Sequence, residues 1–100
     1  MEEINGKIRR QLEKCAHSLE PVVIVGANGV TEQVVKMVST SLDAHELIKI
    51  KFNEFKDEKR ELSEKICEET GAALIRIIGN IAIVFKQNKD PKKRKYNIEK

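Results

Sequence analysis

The stretch Val22-Val23-Ile24-Val25-Gly26-Ala27-Asn28-Gly29-Val30-Thr31 constrains the fold of this chain more than any other. Four β-branched residues in a row fit a short buried strand and would crowd a helix. Two glycines three positions apart then turn the chain tightly, because glycine alone enters left-handed backbone without steric cost. Thr31 can cap a following helix with its hydroxyl, and Val34, Val38 and Leu42 recur at the spacing of one helical face. The sequence therefore contains a strand, a tight turn and a helix in direct succession.

The remaining segments extend this pattern. From Ile4 to Leu19, apolar residues fall at Ile4, Ile8, Leu12, Cys15 and Leu19, which predicts a first helix stopped by Pro21. After the second helix ends near His45, residues 47–52 alternate, with Ile48, Ile50 and Phe52 on one face and Leu47, Lys49 and Lys51 on the other. A charged helix is expected from Asp57 to Thr70, with Leu62 and Ile66 inward and Gly71 as a left-handed cap. Two more strands, 73–78 and 81–86, flank Gly79-Asn80, a pair suited to a hairpin turn. The order α-β-α-β-α-β-β defines an α/β (α+β) domain with three helices and a four-stranded sheet. The half-polar strands predict helices on one sheet face and solvent on the other.

One hundred residues suffice for a single core. We assign residues 1–88 to the domain and 89–100 to a basic C-terminal tail. Residues 86–100 carry a charge of +5 against −2 for the remainder, within a total of +3, and such a run attracts polyanions. No apolar run approaches the roughly 18 residues of a membrane span, and Met1-Glu2-Glu3 is unlike a secretory signal, so a cytoplasmic location with no membrane partner is expected. Cys15 and Cys67 lie far apart in helical patterns and read as reduced, partly buried thiols. Cys15 and His17 lack the paired ligands a zinc site needs, so no metal and no cofactor is expected.

Chemistry concentrates in the Gly26–Gly29 loop. Lacking a Cβ at either end, it lets backbone amides approach a phosphate, and the helix that follows adds its positive end. Ala27 and Asn28 bring no acid into the loop. On the first helix Lys7, Arg10 and Lys14 share a stripe near Arg9, and alternation puts Lys49, Lys51 and Arg76 on the open sheet face. These ten residues, Gly26, Ala27, Asn28, Gly29, Lys7, Arg10, Lys14, Lys49, Lys51 and Arg76, form the expected contact set for a nucleic-acid backbone.

Leu19-Glu20-Pro21-Val22-Val23, Gly26-Ala27-Asn28-Gly29-Val30-Thr31-Glu32 and His45-Glu46-Leu47-Ile48-Lys49-Ile50-Lys51 together resemble the CRM domain of the YhbY family. Glu69-Thr70-Gly71-Ala72 and Ile77-Ile78-Gly79-Asn80 extend the resemblance over about residues 4–87. It implies a mixed four-stranded sheet similar to the C-terminal domain of a bacterial translation initiation factor. It also implies binding of structured RNA, with precursors of the large ribosomal subunit expected for a one-domain form and intron splicing for plant organellar relatives. By position the RNA-contacting loop is Gly26 to Gly29, with Lys7, Arg10 and Lys14 beside it. Many members carry a basic residue inside this loop, where Ala27 and Asn28 stand here.

Catalysis is not expected. Asp43 and His45 form the one tight acid and imidazole pairing, and two residues apart near a helix end they point to different sides. A protein-interaction adaptor in ribosome assembly is the main rival reading, since a basic tail and an exposed strand edge can recruit proteins. No recognition helix for DNA stands out, and no small-molecule substrate is implied.

Overall fold

The computed structural model describes residues 4–96 and 98. The elements are α1 (Gly6–Ala16), β1 (Val23–Val25), α2 (Glu32–His45), β2 (Leu47–Phe52), α3 (Lys59–Thr70), β3 (Ala73–Ile78) and β4 (Ile81–Phe85), with 3-10 turns at Lys56–Glu58 and Pro91–Lys93. The sheet runs β1-β2-β4-β3 and is mixed. Strand β1 pairs parallel to β2 with Val25 opposite Phe52, while β4 pairs antiparallel to both β2 and β3.

The expected caps at Thr31 and Gly71 are in place and Asn5 supplies a further one, whereas α1 ends at Ala16, well before Pro21. Asn5 and Thr31 each accept a backbone N–H three residues on, at 2.9 and 3.2 Å, and so cap α1 and α2. Gly71 ends α3 in left-handed backbone, and Gly79 alone supplies the positive φ of the hairpin. Helix α1 is shorter than the pattern suggested and buries Ile8, Leu12 and Ala16. Cys15 is therefore exposed, contrary to expectation, because the helix turns Ala16 inward in its place. Cys67 is buried, and burial, with Glu64 beside it, pushes its thiol up to about 11.

The one-sided sheet is corrected by the structure. Helices α2 and α3 cover one face, where Val38, Leu42 and Ile66 meet Val23, Val25, Ile48, Ile50, Phe52, Ala82 and Val84. Helix α1 covers part of the other, where Ile8, Leu12 and Ala16 meet Leu47, Ile75, Ile83 and Phe85. An amphipathic stripe like that of α1 must itself be buried, and this half-apolar face is the surface available to it. Arg9 locks the arrangement: its guanidinium donates to the carbonyls of Leu74 and Ile75, at the irregular step in the β3–β4 register.

The segment that read as a tail folds back onto the α1 layer. Ile98 is buried there, and the Tyr96 ring meets Phe85 edge-on at a centroid distance of 6.2 Å. Burial, then the neighbouring Cys15 and Glu46, raises the Tyr96 phenol. The anchor is Glu46, 1% exposed and in strained backbone at φ 63°. Its carboxylate accepts the N–H groups of Asn88 and Lys95, both at 2.5 Å, and its carbonyl accepts that of Lys86. Each such bond to a buried charge contributes about 1.5–3 kcal/mol. The substitution Glu46→Ala is expected to lower unfolding free energy by about 3 kcal/mol in urea titration. Unchanged stability would show that the segment is not held by this carboxylate.

Candidate nucleic-acid interface

The parallel β1–α2–β2 unit places the glycine loop at the carboxyl end of β1. The strand after it ends on the same side, so the Phe52–Lys56 turn lies next to the loop: Asn53 and Glu54 both donate to the carbonyl of Val25. The loop closes through the Gly29 N–H on the Gly26 carbonyl, at 3.0 Å. Ala27 and Asn28 face solvent, and the loop, the first turn of α2 and Met37 line one shallow hollow.

The two glycines have different standing. Gly29 sits at φ 71°, and a Cβ there would stand 3.3 Å from Cε2 of Phe55, so the fold itself requires glycine. Gly26 lies outside the left-handed region, and a Cβ on it would meet nothing within 4 Å. Folding leaves Gly26 unexplained. The N–H groups of Ala27, Asn28, Glu32 and Gln33 have no acceptor among the described residues, since Thr31 occupies only those of Val34 and Val35. A row of amides at a helix start is an anion-binding geometry. One feature opposes it: Glu32, in the first turn of α2, lines the same hollow. The loop is free of acid but its rim is not.

The basic residues separate into three settings. Lys7, Arg10 and Lys14 are exposed along α1, which packs on β2 and β3 across the sheet face opposite α2. They form a ridge, and it lies on the other layer from the loop. Lys49 is half-buried and donates to the carbonyl of Leu19 at 3.0 Å, while Arg76 pairs with Glu13 at 2.7 Å. Those two cations are partly engaged by the protein itself. Lys51 is exposed and has no ion-pair partner among the described residues. It lies in register between Ile24 and Ile81, and Ile78 continues the row. Alpha-1 leaves this corner uncovered, with Ile24 and Ile78 each 54% exposed.

In the sequence Phe55 is one of only four aromatics, with Phe52, Phe85 and Tyr96, a count that argues against a stacking platform, and the sequence alone assigns it no role at the site. It is an exposed aromatic in left-handed backbone, packed on Gly29, and only the parallel pairing of β1 with β2 brings it to the loop. No cluster of three or more metal-ligating side chains occurs among the described residues, and none of their helices is long and apolar enough to cross a membrane.

The CRS1/YhbY (CRM) domain model matches residues 4–86. A Pseudomonas aeruginosa protein named as a probable RNA-binding protein is 36% identical over 93 residues, covering 92% of this chain and 89% of that one. A Haemophilus influenzae protein named as RNA-binding is 34% identical over 93 residues, covering 92% and 94% respectively. The solution structure of a Staphylococcus aureus protein, described with a suggested RNA-binding role, superposes with a TM-score of 0.78 at 31% identity and covers 95% of this chain and all of that one.

The contrast between the glycines is measurable without any ligand. Gly29→Ala is expected to cost about 1–2 kcal/mol in urea unfolding, and Gly26→Ala less than about 0.5 kcal/mol. Equal losses would mean that both glycines serve only the turn.

Proposed function

The chain belongs to the CRS1/YhbY (CRM) domain family, and from that premise we propose that it binds RNA through the backbone of the Gly26–Gly29 loop, in the setting of large-subunit ribosome assembly. Gly26 carries the reading: glycine stands at a position where the fold has no need of one, beside four amides without protein acceptors. A Cβ there would add bulk to a loop whose backbone has to come close to a phosphate. No catalytic step is required of any residue.

The loop lacks a cation and faces Glu32, so its share of the affinity is modest and the remainder comes from charge placed elsewhere. Lys51 beside the loop is the nearest candidate in register. The α1 ridge of Lys7, Arg10 and Lys14 can engage phosphates on a second stretch of the same RNA, as a folded RNA that bends around the domain would present. Lys92, Lys93 and Arg94, exposed on the docked C-terminal segment, add a third cationic edge. Spread charge of this kind favours a structured RNA over a short linear strand.

A second reading, a protein-binding adaptor in ribosome assembly without direct RNA contact, draws on the uncovered apolar corner at Ile24 and Ile78. Salt separates RNA from protein partners. Phosphate contacts release counterions and weaken steeply as salt rises, whereas an apolar protein interface responds little.

Fluorescence anisotropy with fragments of large-subunit ribosomal RNA, and with an intron RNA for comparison, tests the proposal. We expect salt-sensitive binding that favours the ribosomal fragments, and at least ~10-fold weaker binding by the Ala27→Asp, Asn28→Asp variant, since two carboxylates would meet the phosphate. Undiminished binding by a folded double variant would refute the loop as the contact.

A further inference from the structure

Phe55 stands where a phenylalanine is costly. Its backbone is left-handed at φ 57° and ψ 39°, a region that glycine or asparagine occupies far more readily. The residue is 42% exposed and belongs to neither core cluster. One side of the ring, at Cδ2, Cε2 and Cζ, lies against Gly29, the closing residue of the loop, and the residue is otherwise substantially exposed. A strained backbone that serves to present an aromatic ring beside a binding loop is a pointer to function.

The surroundings indicate what the ring can hold. Ala27, Asn53 and Phe55 line one hollow together with Glu54, Asp57, Glu58 and one cation, Lys56. Three carboxylates against the one ammonium of Lys56 leave this hollow net acidic, which disfavours a nucleic-acid phosphate across the ring. The neighbouring loop offers amides and no acid. Phosphate and base are thus sorted: the loop suits the former, and the ring suits a flat, neutral group with hydrogen-bond donors on its edge. Among nucleobases guanine presents adjacent N1–H and N2–H donors to a carboxylate, whereas uracil presents one N–H between two carbonyls that the acids would repel.

We propose that Phe55 is a stacking platform for a single unpaired guanine whose backbone phosphate rests on the Gly26–Gly29 loop, with Glu54, Asp57 and Glu58 selecting the donor edge. The proposal rests on the reading of that loop as a phosphate contact. It makes an unpaired nucleotide, in a bulge or loop of a larger RNA, the element the protein recognises.

The test uses three labelled ten-nucleotide RNA strands at low salt: oligouridylate with one central guanosine, the same strand with an abasic ribose at that position, and oligouridylate alone. The full chain should prefer the guanosine strand. Phe55→Leu keeps apolar volume but removes the aromatic face, and is expected to weaken binding of the guanosine strand about 10-fold while leaving the abasic strand unchanged. Phe55→Gly relaxes the left-handed backbone and should lose the same preference with a melting temperature unchanged or raised. A purely structural ring would instead make that variant less stable with the preference intact. Phe55→Leu binding all strands like the unaltered protein, while Ala27→Asp, Asn28→Asp loses them all, would overturn the platform and leave the loop standing. If the double variant binds normally, the loop reading falls and the platform falls with it.

Discussion

The parallel pairing of β1 with β2 is the constraint on which this molecule depends. Parallel neighbours need a crossover, which α2 supplies, and the crossover fixes both strand ends on the same side of the sheet. The turn after β1 and the turn after β2 are thereby neighbours, tied by two N–H groups on the Val25 carbonyl. Ligands of open α/β sheets gather outside the carboxyl ends of parallel strands for this reason. Here that location holds the glycine loop, the start of α2 and Phe55.

Around this unit the chain divides its apolar residues between two layers. Strand β2 sends Ile48, Ile50 and Phe52 toward α2 and α3, and Leu47 toward α1. Its lysines fall where α1 thins out, so the sheet surface changes from covered core to exposed corner along one strand. Glu46 then closes the far end, with a buried carboxylate that pins the last segment over Phe85. The basic run that looked like a solvated tail is thus presented at fixed positions, and the domain has cationic edges on more than one side.

Element order, the face assignment of β2 and the cap at Thr31 were legible in the sequence because they follow from local rules: period, β-branching and side-chain capping. The two-sided sheet was not, since two lysines in β2 made its second face look wet, and alternation says nothing of how far a helix reaches across it. Cys15 and Ala16 are adjacent, and the buried stripe steps by four residues from Leu12 to Ala16 where a step of three to Cys15 was expected. The docking of residues 88–96 and 98 escaped notice because its anchor is a single acid, Glu46, 42 residues before Asn88 and 49 before Lys95. Phe55 was discounted as one of only four aromatics, too few to suggest a stacking platform; its proximity to Gly29 arises from strand pairing, and no spacing in the sequence encodes it. The ten expected contact residues also scatter in space more than their list implied, with the α1 ridge and the loop on different layers.

Backbone amide chemical shifts test the central claim most directly, because the loop is held to act through N–H groups. Titrating an isotopically labelled sample with a large-subunit ribosomal RNA fragment should move the amide resonances of Gly26 to Val30, Glu32 and Gln33 first and furthest, ahead of those on α1 and the C-terminal segment. Shifts confined to α1 and the C-terminal segment, with the loop amides unmoved, would contradict the account and relocate the RNA to the opposite layer of the sheet.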